Sequence, residues 1–288
     1  MVNIKDIPVR VVGPGSQPGS NGDAPAYIDM PRDMSRYDAP LMPDPDVVEH
    51  LLGAREAMAW LKSALSDWSE ERENPSANLN ALDDENRELV NQILGEGENC
   101  VTYNGKLRAS VQESVLAGVW RSLYFDDDEK VAFDIIEVGA VPQLVSAAVE
   151  GMRPVTFSED ELSGDVPNAM PILVELADRS ALFEHDATQH SINLTLLPLS
   201  QSELEYLDAR LGRGPVDILS RAYGKCQVIR TLSPNVWWVR FYNSMGTLIL
   251  NSLEIAAVPD VVLAAPEDIA DSAIRLSEIL APYWPDAA

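Results

Sequence analysis

The stretch from Leu219 to Glu267, LSRAYGKCQVIRTLSPNVWWVRFYNSMGTLILNSLEIAAVPDVVLAAPE, holds the densest aromatic cluster of the chain. A diverged copy, VWRSLYFDDDEKVAFDIIEVGAVPQLVSAAVE, runs from Val119 to Glu150. An ungapped offset of 117 places Trp120 on Trp237, Leu94 on Leu211, Gly95 on Gly212 and Gly97 on Gly214. The same offset places Val111 on Val228, Glu137 on Glu254, Val141 on Val258 and Pro142 on Pro259. Self-similarity of this kind marks one structural unit used twice.

Each copy has the same grammar. A helix comes first: Asp83 caps the one that runs to Leu94, and Ser200-x-x-Glu203 is a capping box for its counterpart. Gly95 and Gly97, or Gly212 and Gly214, end it, one of each pair at positive φ. Four short β-branched and aromatic runs follow, separated by Gly, Asp, Asn and Pro. In the first copy these are Cys100–Tyr103, Arg108–Val115, Val119–Phe125 and Val131–Ile136. In the second they are Asp217–Ser220, Cys226–Leu232, Val236–Tyr242 and Leu248–Leu253. Connections this short make neighbouring strands antiparallel. Pro142 and Pro259 then stand at helix starts, and Pro266 begins a last helix with the stripe Ile269, Ala273, Leu276, Leu280.

Ahead of the repeats, residues 1–44 are rich in Gly, Pro, Ser and Asp and read as an extended arm. Asp44 and Pro45 open a helix whose stripe is Val47, Leu51, Ala54, Met58, Leu61, Leu65 and Trp68. The stripe fits a helix lying on a sheet, with a short coiled coil as the alternative. Residues 156–168 read as a solvated acidic linker, followed by a helix over 168–183 and a strand over 191–199. The expected fold is α+β. Two tandem repeats over 45–155 and 169–288 each form a small, mostly antiparallel sheet with packed helices, behind an extended N-terminal arm.

Composition narrows the function. The chain has 288 residues, 46% of them hydrophobic, and a formal net charge of −25 from 46 acidic and 21 basic residues. Nucleic acid and anionic membrane surfaces are poor partners for such a chain, whereas a basic peptide is attracted. The charge equally serves solubility. Two cysteines, Cys100 and Cys226, suit a reducing compartment, and no apolar run is long enough to span a bilayer. The opening MVNIKDIPVRVV lacks the pattern of a signal peptide, so the expected location is the cytoplasm.

The search for chemistry finds no catalytic constellation and no cofactor motif. His50, His185 and His190 lack metal-ligand spacing, and no CxxC or GxSxG occurs. Cys226 follows Lys225 but reads as a small buried strand residue. Glu137 and Glu254 occupy matching positions before helix starts, where each is expected to accept backbone N–H bonds; a catalytic carboxylate pair is the alternative. The run Val236-Trp237-Trp238-Val239-Arg240-Phe241-Tyr242 is apolar on both faces except at Arg240. Burial on both sides explains it, and so does a strand with one face offered to a partner.

Several motifs resemble the HupH/HyaF family of hydrogenase expression and formation proteins. They are Val9-Arg10-Val11-Val12-Gly13-Pro14-Gly15 at the N-terminus, Leu196-Leu197-Pro198-Leu199, and Ser220-Arg221-Ala222-Tyr223-Gly224-Lys225-Cys226. Val236–Asn243 and Ala264-Ala265-Pro266-Glu267-Asp268-Ile269 complete the likeness, with Ala222 where the family tends to carry Gly. The resemblance implies a non-enzymatic accessory protein of [NiFe] hydrogenase maturation, without cofactor or metal. Its expected client is the immature iron–sulfur small subunit or its twin-arginine leader. The expected partner-binding residues are Trp237, Trp238, Arg240, Tyr242, Tyr223 and Arg221. A nickel-delivery factor and a multi-protein docking scaffold are the alternatives.

Overall fold

The computed structural model describes residues 43–149, 151–155, 166–221 and 224–284. The arm expected over 1–44 and most of the acidic linker lie outside the described residues. The helices are α1 (Pro45–Val48), α2 (Leu52–Asp67), α3 (Asp84–Leu94), α4 (Gln143–Ser146), α5 (Ala169–Asp186), α6 (Gln201–Leu211) and α7 (Pro266–Leu280). The first-copy strands are β1 (Ser76–Asn78), β2 (Asn99–Asn104), β3 (Arg108–Glu113), β4 (Val119–Phe125) and β5 (Val131–Val138). Those of the second copy are β6 (His190–Asn193), β7 (Val216–Ser220), β8 (Lys225–Arg230), β9 (Val236–Tyr242) and β10 (Leu248–Ile255).

The sheets expected of the two repeats are joined into one, a point the sequence left open. Its ten strands run in the order β1-β5-β4-β3-β2-β7-β8-β9-β10-β6, and every neighbouring pair is antiparallel. The copies join at β2–β7, where Val101 stands opposite Ile218. Those two residues are equivalents under the 117 offset, so a pseudo-twofold axis passes between them. Joining there removes what would be an exposed edge strand on each copy.

Repeat equivalence extends upstream at a changed offset. Ala54, Met58 and Leu61 of α2 are fully buried, as are Ala169, Leu173 and Leu176 of α5, at an offset of 115. The two-residue difference falls between β6 and α6, where a 3-10 turn at Leu194–Leu196 replaces the strand expected to reach Leu199. Asn193 holds that turn by accepting from the Thr195 N–H, and Leu196 is left 79% exposed.

The Gly-x-Gly pairs work as expected. Gly95 (φ 55°) and Gly212 (φ 63°) end α3 and α6. Gly97 and Gly214 donate to Glu113 O and Arg230 O, both at 2.7 Å, so closely that a Cβ on Gly97 would lie 2.2 Å from Ser114 O. Trp120 and Trp237 are fully buried on the back of the sheet and donate to equivalent carbonyls, Gly139 O at 2.8 Å and Ala256 O at 3.0 Å.

Neither copy completes its own core. α7 ends the second copy yet packs on α2 of the first: Ile269, Leu276 and Leu280 share a cluster with Met58, Leu61, Ile93 and Val119. Ser272 Oγ donates to Ala117 O at 3.0 Å. In the other direction, Arg153 N–H at the end of the first copy donates to Leu232 O at 2.8 Å, and Val155 packs on the Leu173–Trp238 cluster. The copies are therefore interlocked, and the described residues belong to one compact unit.

The single helix expected from Asp44 to Trp68 is broken. α1 is one turn, and α2 starts afresh at Leu52. The bend turns Val48 and Leu51 inward and leaves Val47 60% exposed. A long-range cap explains the restart: Asn86 Oδ1 accepts the Ala54 N–H at 2.8 Å. α2 lies against α3, α7 and the sheet, not in a coiled coil.

Candidate functional site

Strand alternation divides the sheet into two faces. On the back, Val101, Val111, Trp120, Ile218, Val228 and Trp237 form one cluster, roofed by the turns around Val141–Ala148 and Val258–Val262. On the front, α2, α3 and α7 cover the outer strands of the first copy, and α5 and α6 those of the second. Between α3 and α6 the front of β3, β2, β7 and β8 is open: Thr102, Ser110 and Lys225 are exposed, and Cys100, Gln112, Leu219 and Gln227 are half-buried. Three inter-strand spacings make this floor roughly 14 Å wide. A helix with its side chains is about 10–12 Å across, so one helix or one extended segment fits.

The expected partner-binding residues divide on this frame. Trp237 and Trp238 are adjacent in sequence and must point to opposite faces. Both faces are covered there, so Trp237 is 0% and Trp238 3% exposed. Neither indole is available to a partner in this conformation, which corrects their assignment as contact residues. Trp238 packs with Leu173, Leu207 and Leu253, and its Nε1 donates to Asn251 Oδ1. It serves the front face from below. The Arg240 guanidinium lies over the Trp238 ring, 4.4 Å from its centroid, and reaches Asp208 of α6 at 3.9 Å. Tyr242 is half-buried on the same face, and Lys225 sits 5.7 Å from its ring centroid. Arg221 is exposed at the end of β7, its N–H donating to Glu98 O. The structure thus brings Arg221, Arg240 and Tyr242 to one face. Tyr223 lies outside the described residues.

Cations on this face are mostly matched by carboxylates, in contrast to the acidic chain as a whole. Among the described residues, the fronts of the six central strands and the flanks of β2 and β7 carry Arg108, Arg121, Arg221, Lys225 and Arg240 with Glu98 and Asp217, and Glu129, Asp134 and Asp208 pair with Arg108, Arg121 and Arg240. Gln227 Nε2 holds both oxygens of Asp217, at 3.1 and 2.9 Å. Arg121 is fixed by a two-point pair with buried Asp134, at 2.9 and 2.7 Å. This pair occupies the position that Trp238 and Asn251 hold in the second copy. Arg221 and Lys225, outside the ion pairs found among the described residues, are the groups that suit carboxylates of a partner. Sequence reasoning missed this because it read total charge; the placement of Arg221 and Lys225 on one face by strand alternation was the available signal.

The buried carboxylates are structural. Glu137 Oε1 accepts the Gln143 N–H at the start of α4 at 2.6 Å, as expected, and the Asn74 side chain at 3.1 Å. Burial raises its pKa. Glu254, its equivalent, accepts from Ser252 Oγ at 3.3 Å, and burial raises its pKa too. The two stand on β5 and β10, at opposite ends of the sheet, so they do not form a catalytic pair. Cys226 is 4% exposed, and burial pushes its thiol up to about 12, the opposite of a reactive thiolate. Among the described residues no group of three or more His, Cys, Asp or Glu is placed to hold a metal ion. No described helix is long and apolar enough to cross a membrane.

Comparison with known proteins supplies the context of this scaffold. The family described as "HupH hydrogenase expression protein, C-terminal conserved region" matches twice, over residues 51–157 and 166–283. The chain belongs to the HupH family. The two matches start 115 residues apart, the offset that superposes α2 on α5. Among the HupH-family relatives is the hydrogenase expression/formation protein HoxQ of Cupriavidus necator, 39% identical over 97% of this chain and 98% of its own. Another is the hydrogenase expression/formation protein HupH of Rhodobacter capsulatus, 39% identical over 97% of this chain and 98% of its own. A solved structure, hydrogenase expression protein HupH from Thiobacillus denitrificans, is 32% identical and covers 40% of this chain and 95% of that one, with a TM-score of 0.38.

Proposed function

We propose that this chain is a non-enzymatic accessory protein of hydrogenase maturation that holds an immature hydrogenase subunit on the front of its sheet. The relatives' names, expression/formation proteins of hydrogenase, support the process. The open floor between α3 and α6 supports the binding role. It is rigidly built, wide enough for one segment, and carries Arg221, Arg240 and Tyr242 facing out. The client is the iron–sulfur small-subunit precursor, met in the cytoplasm before assembly and export. The observation that carries the site is Arg240 laid on Trp238: a cation pre-positioned on a buried indole loses little freedom when it meets a carboxylate. A pull-down tests this reading. Wild type retains the small-subunit precursor, and Arg221→Glu with Arg240→Glu loses it while still melting cooperatively within about 5 °C of wild type. Equal retention by both would remove the front face from the proposal.

A further inference from the structure

The loop Trp68–Glu73, between α2 and β1, has clefts on three sides. One of about 380 Å3 opens toward Ala140, Val141 and Gln143. A second, of about 260 Å3, lies against Trp60 and Ala64. The third, of about 660 Å3, lies between the loop and the first turns of α7 and is floored by Leu65, Ile269 and Ala273. Trp68 lines all three. Its indole N–H is shielded from solvent and has no acceptor, although a shielded donor costs about 1–3 kcal/mol when unpaired. Glu70, Glu71 and Glu73 are exposed along the same loop, and among the described residues none of them forms an ion pair. Arg72 is the one cation of the stretch.

We propose that this loop and the start of α7 form a docking groove for a cationic, extended peptide segment. The segment places arginine or lysine side chains over Trp68 and against Glu70, Glu71 and Glu73, and apolar side chains in the well over Leu65, Ile269 and Ala273. Charge complementarity selects this occupant. Unspent carboxylates surround an aromatic ring, which is the arrangement that attracts a guanidinium or ammonium group. The acidic total charge of the chain steers such a segment inward. The inference rests on the reading of the protein as a polypeptide-binding accessory factor, but the groove is testable without it.

The experiment uses the full chain and a short fluorescein-labelled peptide with two adjacent arginines followed by leucine and alanine. A control peptide carries glutamates in place of the arginines. Fluorescence anisotropy is expected to show binding of the arginine peptide alone, weakened at roughly 0.3 M salt by screening. The triple variant Glu70→Lys, Glu71→Lys, Glu73→Lys is expected to bind about tenfold or more weakly, as expected for charge juxtaposition of like sign. These side chains are exposed and outside ion pairs, so the variant should fold; its melting curve checks that. Binding of the arginine peptide within about twofold of wild type by the triple variant, or equal binding of the two peptides, overturns the groove. A pull-down with the small-subunit precursor separates the two readings. Precursor held equally by wild type and triple variant sinks the groove and leaves the chaperone reading standing. Arginine peptide bound in the groove, with no precursor retained by wild type, does the reverse.

Discussion

Trp238→Ala and Arg240→Ala remove stacked neighbours on one strand, yet the structure assigns them very different costs. Trp238 is 3% exposed, so its truncation deletes a large core side chain, worth about 3–5 kcal/mol. It also leaves Asn251, 7% exposed, without the indole donor, adding about 1 kcal/mol or more. Arg240 is different. Its stacking on Trp238 is worth about 0.5–1 kcal/mol, and its pair with Asp208, at 3.9 Å and half open to water, is worth little. One kcal/mol corresponds to about 2–4 °C for a domain approaching this size. Trp238→Ala should therefore lower the melting temperature by roughly 8–24 °C, and Arg240→Ala by about 4 °C or less. Calorimetry and urea unfolding measure both. If the two variants melt within about 2 °C of each other, the ledger is wrong. Trp238 would then be more exposed in solution than here, and the indole itself would return as a contact residue. The same arithmetic shows why client binding is better tested with Arg240→Glu than with Trp238→Ala: loss of binding by the latter reports a damaged core.

Three further predictions concern how the halves are held. Asn86→Ala leaves the Ala54 N–H without its acceptor and should cost about 2 kcal/mol, with faster amide exchange confined at first to the opening turn of α2. Gly118 has φ 75° and a position where a Cβ would lie 2.5 Å from Ile269 Cγ1; Gly118→Ala should cost about 1–3 kcal/mol and speed proteolysis of α7 before the rest of the chain. Stability should also depend on pH in a definite sense. Burial raises the pKa values of Glu113, Glu137 and Glu254, so their protonation favours the folded state, and stability climbs as pH falls through those raised values toward the ordinary carboxylate range. Glu203 behaves oppositely: the Ser200 and Asn168 N–H groups hold it down to about 2, so its contribution is present above the ordinary carboxylate value and is lost as pH falls toward 2. A melting-temperature maximum on the acid side of neutrality is expected, with Glu254→Gln raising the neutral-pH value; a flat profile from pH 8 to 5 would contradict it.

The parts of this fold that were legible in sequence are those governed by local rules. Ser200-x-x-Glu203 made its capping box, and Gly95 and Gly212 ended their helices at positive φ. Strands β4 and β9 fell at the expected residues because aromatic runs bounded by Gly, Asn and Asp have few other options. What was not legible depends on partners distant in sequence. Nothing in Asn99–Asn104 or Val216–Ser220 says that these strands pair with each other, because backbone hydrogen bonding carries no residue code. The break at Leu51 depends on Asn86, whose side chain accepts the Ala54 N–H 32 residues earlier in the chain. The burial of Trp238 depends on α5 and α6 lying over β9. The run was equally compatible with an open face, since a tryptophan pair on a strand looks the same whether or not a helix covers it.

The pseudo-twofold axis ought to give a client two equivalent ways to lie on the front face, and the divergence of the copies prevents that. The frame is shared, but its polar inserts differ. Where the second copy has Trp238 bonded to Asn251 with Arg240 laid on top, the first has Arg121 clamped to Asp134 and Leu123 at the place of Arg240. The Arg121 charge is already neutralised by its partner, whereas Arg240 rests on a neutral ring and has only a distant carboxylate, Asp208. The groove at Trp68 breaks the symmetry further, because Phe183 takes the equivalent place in the second copy and no acidic triplet follows it. A doubled unit thus supplies a wide, stiff sheet that neither copy builds alone. Under the proposed reading, substitutions confined to one side of the axis give a bound chain a direction, with Arg221, Lys225 and Arg240 on the second copy and the acidic loop after Trp68 on the first.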